Sequence, residues 1–150
     1  MTLNKGKLNK FLMLKLPSAW LCGVRVDEIE ENTCKVTVKH KWINQNPFKS
    51  MYFAVQAMAA ELSTGALVMG KIQKSNSKIS MLVAQNRAQF TKKATGKISF
   101  YCYDGHLIDE AIEKTLTTGE GQTFWMKSTG INDTGQQVAI FEFEWTIKAK

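Results

Sequence analysis

Within the 150 residues, one acid stands where acids are seldom placed: Glu61 falls in the middle of a long apolar stretch. Met51, Phe53, Val55, Met58, Leu62, Leu67, Val68 and Met69 leave no clean polar face around it. That is the pattern of a helix enclosed by protein. A carboxylate in such surroundings must find partners, shift its pKa or do work. If nothing compensates, its pKa rises, and that suits a general base near neutral pH. The start of the same helix, near Tyr52, Phe53 and Ala54, would present unpaired backbone N–H groups able to polarise a carbonyl and hold a developing oxyanion. Thr64, one helical turn after Glu61, is placed to steady the carboxylate.

The remaining chemistry is sparse. His40 and His106 are the only histidines, and neither has a Cys, Asp or Glu at metal-ligand spacing, so no metal is expected. His40 sits on the apolar face of a strand and reads as a satisfied structural histidine. No nucleophile elbow, P-loop or dinucleotide fingerprint occurs, which excludes those enzyme classes and leaves no cofactor to expect. Cys22, Cys34 and Cys102 are odd in number and show no paired spacing, as for reduced, mostly buried thiols of a cytosolic protein.

Charge points to an anionic partner. The formal net charge is +7 and the pI about 9.4. Between Glu61 and Asp104 there is no acid, while Lys71, Lys74, Lys78, Arg87, Lys92, Lys93 and Lys97 contribute seven bases. Such a surface would meet phosphates, or be a solvated lysine face. No recognition helix or stacking aromatic motif accompanies the bases, so nucleic acid is not the expected partner.

The elements that must position these groups follow from periodicity. A helix is expected over about Leu8 to Leu14, and a short one from Pro17 through Leu21 to Gly23. A brief alternating segment, Val24 to Ile29, precedes a strand over Thr33 to Trp42 with Cys34, Val36, Val38, His40 and Trp42 on one face. After the loop Asn44 to Pro47 the central helix runs until Gly70 and the polar run from Lys74 to Lys78 end it. Strands are expected over 79–91, 97–103, 122–132 and 137–148, and a helix over 107–116. Met51 to Gly70 approaches the roughly 20 residues that span a bilayer. Its central acid would cost about 2.5–3.5 kcal/mol there, and Gln56, Ser63 and Thr64 add to that, so a core helix is the better reading. The basic start (Lys5, Lys7, Lys10) leads into an apolar run too short for a signal peptide.

One α+β domain over 1–150, with short N-terminal helices about 4–22, satisfies this order. The connections are short and each strand has one apolar face, so a single antiparallel sheet of about five to six strands curls around the central helix. Folding at this length should bury about 68 to 70% of the unfolded chain's surface.

The spacing in the central stretch resembles the hotdog-fold thioesterases of the phenylacetyl-CoA type. In that pattern an asparagine is followed by five residues, His-Gly-Gly, and an acid on the central helix. Here Asn46, then Tyr52 six residues on, then Glu61 nine residues after that, reproduce the spacing. The run Phe90 to Ile98 resembles a hotdog strand that ends in an aromatic, a basic pair, Ala and Gly. Similarity is strongest to the thioesterase-like family known only as domain of unknown function 4442, which favours Asn-Pro and a helix glutamate. One departure touches catalysis and not fold: His-Gly-Gly is replaced by Tyr52-Phe53-Ala54.

The resemblance implies a hotdog fold, a homodimer or dimer of dimers, and an acyl-CoA site at the subunit interface of a cytoplasmic protein. It makes Glu61 the base, Asn46 the residue that orients the water or acyl group, and Arg87, Lys92, Lys93 and Lys97 the partners of the coenzyme's phosphates. The alternative is a non-catalytic hotdog domain that binds acyl-CoA or a related ligand, or serves only in assembly.

Overall fold

The computed structural model describes residues 3–150. The chain opens with α1 (Lys5–Lys15), capped by Asn4, whose Oδ1 accepts from the Lys7 N–H at 3.0 Å. Then come α2 (Pro17–Leu21), β1 (Arg25–Ile29), β2 (Cys34–Lys39), a 3-10 turn (Trp42–Asn44) and α3 (Phe53–Lys74). β3 (Ile79–Phe90), β4 (Lys97–Cys102), α4 (His106–Thr118), β5 (Gln122–Ile131) and β6 (Gln137–Ala149) complete it.

The six strands form one sheet in the order β1-β2-β4-β5-β6-β3, with every pairing antiparallel. α3 is enclosed by it and packs on β2, β4, β5 and β6. The alternation in each strand supplies the core: Val36 and Val38 from β2, Ile98 and Phe100 from β4, and Phe141, Phe143, Trp145 and Ile147 from β6 are all buried. α3 is long and apolar enough to cross a bilayer, with a mean hydropathy of 1.2, yet most of it lies within this core. Two of its buried polar groups are paired across the core: the Ser63 and Ser128 hydroxyls meet at 2.7 Å, and Lys71 reaches Asp109 at 3.0 Å and Asn32 at 2.9 Å. Cys34 and Cys102 are directly opposite each other on β2 and β4, both buried, while Cys22 is half-buried.

Two element boundaries differ from expectation. β2 stops at Lys39, because the buried Asn44 side chain accepts from the Lys41 N–H and donates to the Lys39 and Cys22 carbonyls, turning the chain out of the sheet. Trp42 is consequently exposed rather than on a buried strand face. His40 is half-buried beyond the strand's end, and its imidazole has no hydrogen-bond partner among the described residues, so it is not the satisfied structural histidine expected. α3 begins at Phe53 and continues through Gly70 to Lys74. Residues 45–52 form a tight loop instead, closed by a Gln45–Met51 bridge with Lys49 at φ 61°.

The two edges of the sheet are unlike. β1 is short, and Asn9 of α1 acts on it like a further strand: its side chain donates to the Val26 carbonyl at 2.9 Å and accepts from the Val26 N–H at 2.8 Å. β3 is long, and residues 84–90 are exposed on both faces.

Candidate active site

Glu61 points between the α1–α2 junction and β3. It lines an apolar groove of about 480 Å³ with Phe11, Leu62, Met69, Met81, Val83 and Trp145, and a smaller one of about 260 Å³ with Leu12, Lys15 and Met58. Its carboxylate has neither hydrogen bond nor ion pair among the described residues. Burial therefore pushes its pKa above the ordinary glutamate value of 4.5, with no charge or donor to pull it back. Thr64 does not relieve it. The Thr64 hydroxyl donates to the Glu61 backbone carbonyl at 2.8 Å and accepts from the Trp145 indole at 2.9 Å, so it anchors the core tryptophan rather than the carboxylate.

The start of α3 presents two free amides, not three. The Tyr52 N–H donates to the Asn44 carbonyl at 2.8 Å, whereas no described group accepts from Phe53 or Ala54. The Phe53 side chain is exposed, its ring edge-on to Tyr52 at 5.0 Å and to Phe90 at 6.3 Å. Asn46 is occupied by the preceding loop. Its Oδ1 accepts from the Phe48 and Ser50 N–H groups at 2.9 and 3.3 Å, and its Nδ2 donates to the Ser50 hydroxyl at 2.9 Å and the Met51 carbonyl at 3.3 Å. Asn46, Phe53, Lys92 and Lys93 share a third groove, of about 490 Å³.

One chain does not bring the acid and the amides together. Eight residues separate Phe53 from Glu61, about 12 Å along the helix axis, and the two line different grooves. Nor do the four expected phosphate partners form one cluster. Lys92 and Lys93 line the groove beside the helix start. Arg87 is held by Glu142 through two contacts of 3.1 Å and lies over the Trp125 ring, which lowers the Glu142 pKa and raises its own. Lys97 belongs to the far side, opposite Lys39, where its charge adds to that of Lys35 in depressing Asp27.

Sequence reasoning passed over Gln56. Its side chain is 4% exposed, its Nε2 donates to the Met51 carbonyl at 3.4 Å, and its Oε1 is the one buried side-chain oxygen or nitrogen without a partner among the described residues. The signal was present, a glutamine inside an apolar helix, but only a three-dimensional arrangement shows that its oxygen is unsatisfied.

Solved structures share this architecture. A protein of unknown function from Pseudomonas aeruginosa, named a probable thioesterase, is 19% identical over 100% of this chain and 99% of its own, with a TM-score of 0.85. A thioesterase from Haemophilus influenzae is 11% identical over 99% of this chain and 93% of its own, with a TM-score of 0.76. A Staphylococcus aureus thioesterase, crystallised with a glutamine changed to alanine, is 13% identical over 88% of this chain and 98% of its own, with a TM-score of 0.66. At such identities the likeness establishes the fold, which is the hotdog fold: α3 is the enclosed helix and the six strands its wrapping. The family model described as domain of unknown function DUF4442 matches residues 5–147, and the chain belongs to that family. No curated protein matches it.

Proposed function

We propose that the protein hydrolyses an acyl thioester, acyl-CoA being the expected form, at a site shared by two copies of the chain, with Glu61 as general base. The observation that carries this reading is the unpaired Glu61 carboxylate on an apolar groove. A carboxyl group kept there at the expense of desolvation has a raised pKa and an open face for a water. Ionised Glu61 takes a proton from that water as the oxygen attacks the thioester carbon. The free Phe53 and Ala54 amides hold the oxyanion, and the acid then returns the proton to the departing thiolate.

The 12 Å gap within one helix is the reason for a second copy. Two α3 helices running antiparallel about a two-fold axis set the start of one beside the middle of the other. The uncovered β3 edge, carrying exposed Leu82 and Phe90, is suited to pair with its counterpart. Asn46 then contributes by holding the loop that delivers the helix start, and Lys92 and Lys93 face the phosphates. The Staphylococcus aureus thioesterase has also been crystallised with a glutamate changed to alanine, at position 47, where the glutamine variant is at position 32. The same fifteen positions separate Asn46 from Glu61.

A panel of acyl-CoA substrates assayed on wild type and Glu61→Gln in parallel tests the reading. Loss of at least about 100-fold in kcat is expected for the variant. Hydrolysis that persists in it removes Glu61 as the base. Phe53 favours a second reading, in which the site binds without turnover, because a bulky ring packed edge-on to Tyr52 and Phe90 stands at a residue where the related pattern has glycine. Saturable binding with no hydrolysis by wild type would establish that one.

A further inference from the structure

We infer that Gln56 is a ligand-recognition residue that accepts a hydrogen bond from the amide N–H of a pantetheine-type thiol arm. The inference rests on the thioester reading above and assigns a residue that the reading does not use. Gln56 lies three positions after Phe53, about 4.5 Å further along the axis. Side chains on a helix lean toward its N-terminus, so Gln56 reaches back over the first turn, as its bond to the Met51 carbonyl shows. It lines the same groove as Asn46, Phe53 and Lys93.

The orientation of its amide is fixed by chemistry. Turning it over would set its oxygen against the Met51 carbonyl, which already receives Asn46, so the nitrogen must face Met51 and the oxygen must face elsewhere. That oxygen is buried, closed to solvent and unpaired. A buried acceptor without a donor is costly enough to call for one. The single bond that holds the amide is 3.4 Å, long for N–H···O, so it leaves the side chain free to adjust to a donor entering the groove it lines.

What it requires is a donor, which distinguishes it from the Phe53 and Ala54 amides beside it. Those amides suit a carbonyl oxygen; Gln56 would repel one. A thioester of the pantetheine type carries both groups, its acyl oxygen and, across a short ethylene spacer from sulfur, a secondary amide N–H. The helix's first turn offers the complementary pair in the same order.

The test uses two thioethers that lack a thioester, S-hexyl-N-acetylcysteamine and 2-(hexylthio)ethyl acetate, whose integrity is checked at the end of each titration. They differ only in an N–H replaced by an ester oxygen. Titration of the full chain by NMR or calorimetry should show the amide bound roughly tenfold more tightly than the ester, and Gln56→Leu should erase that preference while leaving ester binding within about twofold. Equal binding of the two ligands by wild type, binding of neither, or a preference that survives in Gln56→Leu would each overturn the assignment. The wild-type comparison needs no variant, so a folding defect in Gln56→Leu leaves the test intact. Because neither probe carries a thioester, absence of thioesterase activity would defeat the catalytic reading without touching this one.

Discussion

Glu61 and Gln56 each carry side-chain polarity into the apolar part of α3 that no group among the described residues fully answers. For Glu61 the consequence depends on pH. Its folded pKa lies above the unfolded value, so the native state holds the proton more tightly. The stability this contributes is full below about pH 4.5 and is lost as pH rises through the folded pKa. Glu61→Gln keeps the neutral state at all pH. Its Tm should therefore exceed that of wild type at pH 7, with the difference vanishing near pH 4; an equal Tm at both would mean the carboxylate finds a partner in solution. The same shift predicts that turnover rises with pH through a midpoint above 4.5. The sequence showed the acid through its apolar neighbours. It could not show that Thr64 bonds the Glu61 backbone instead of its carboxylate, because a hydroxyl one turn away reaches both, and the Trp145 indole settled the choice.

At the level of elements, the strands could be read from alternation, since β4 and β6 each bury one face and leave the other half-buried. Boundaries set by one side chain could not. Asn44 ends β2 through bonds to residues as distant as Cys22, a contact no local pattern encodes. The start of α3 was expected just after Pro47, but Asn46 ties residues 48–52 into the loop through the Phe48 and Ser50 N–H groups. Gly70 and the polar run from Lys74 were together read as the end; the helix runs through Gly70, where tertiary packing outweighs its propensity, and ends at Lys74 where the polar run begins. Gly130 of β5 has a clearer constraint. A Cβ there would lie 2.6 Å from the ring of Phe100, which is wholly buried. Gly130→Ala should cost about 1–3 kcal/mol in urea unfolding. A loss under about 0.5 kcal/mol would show that Phe100 has room to move.

The molecule as a whole has one guarded edge and one open edge. If β3 is where two copies meet, sedimentation at micromolar concentration should give a dimer, and Leu82→Arg, on the 66% exposed Leu82, should give a monomer with unchanged circular dichroism and no hydrolysis. A wild-type monomer would remove the shared site. The sequence implied the pairing only through family resemblance; the arrangement adds a physical motive, an unpaired acid and two free amides on one helix too far apart to meet one carbonyl within a single chain. The facing thiols of β2 and β4 have a separate use. Burial pushes both Cys34 and Cys102 up to about 12, which at pH 8 leaves on the order of 10⁻⁴ of either as thiolate. Half-buried Cys22 should be modified promptly by a disulfide reagent, and the other two together and slowly, only when β2 and β4 part. Counting labelled thiols by mass against time would thus clock the opening of the sheet, with no probe added to the protein; separate slow rates for the two would mean that the strands do not open as one unit.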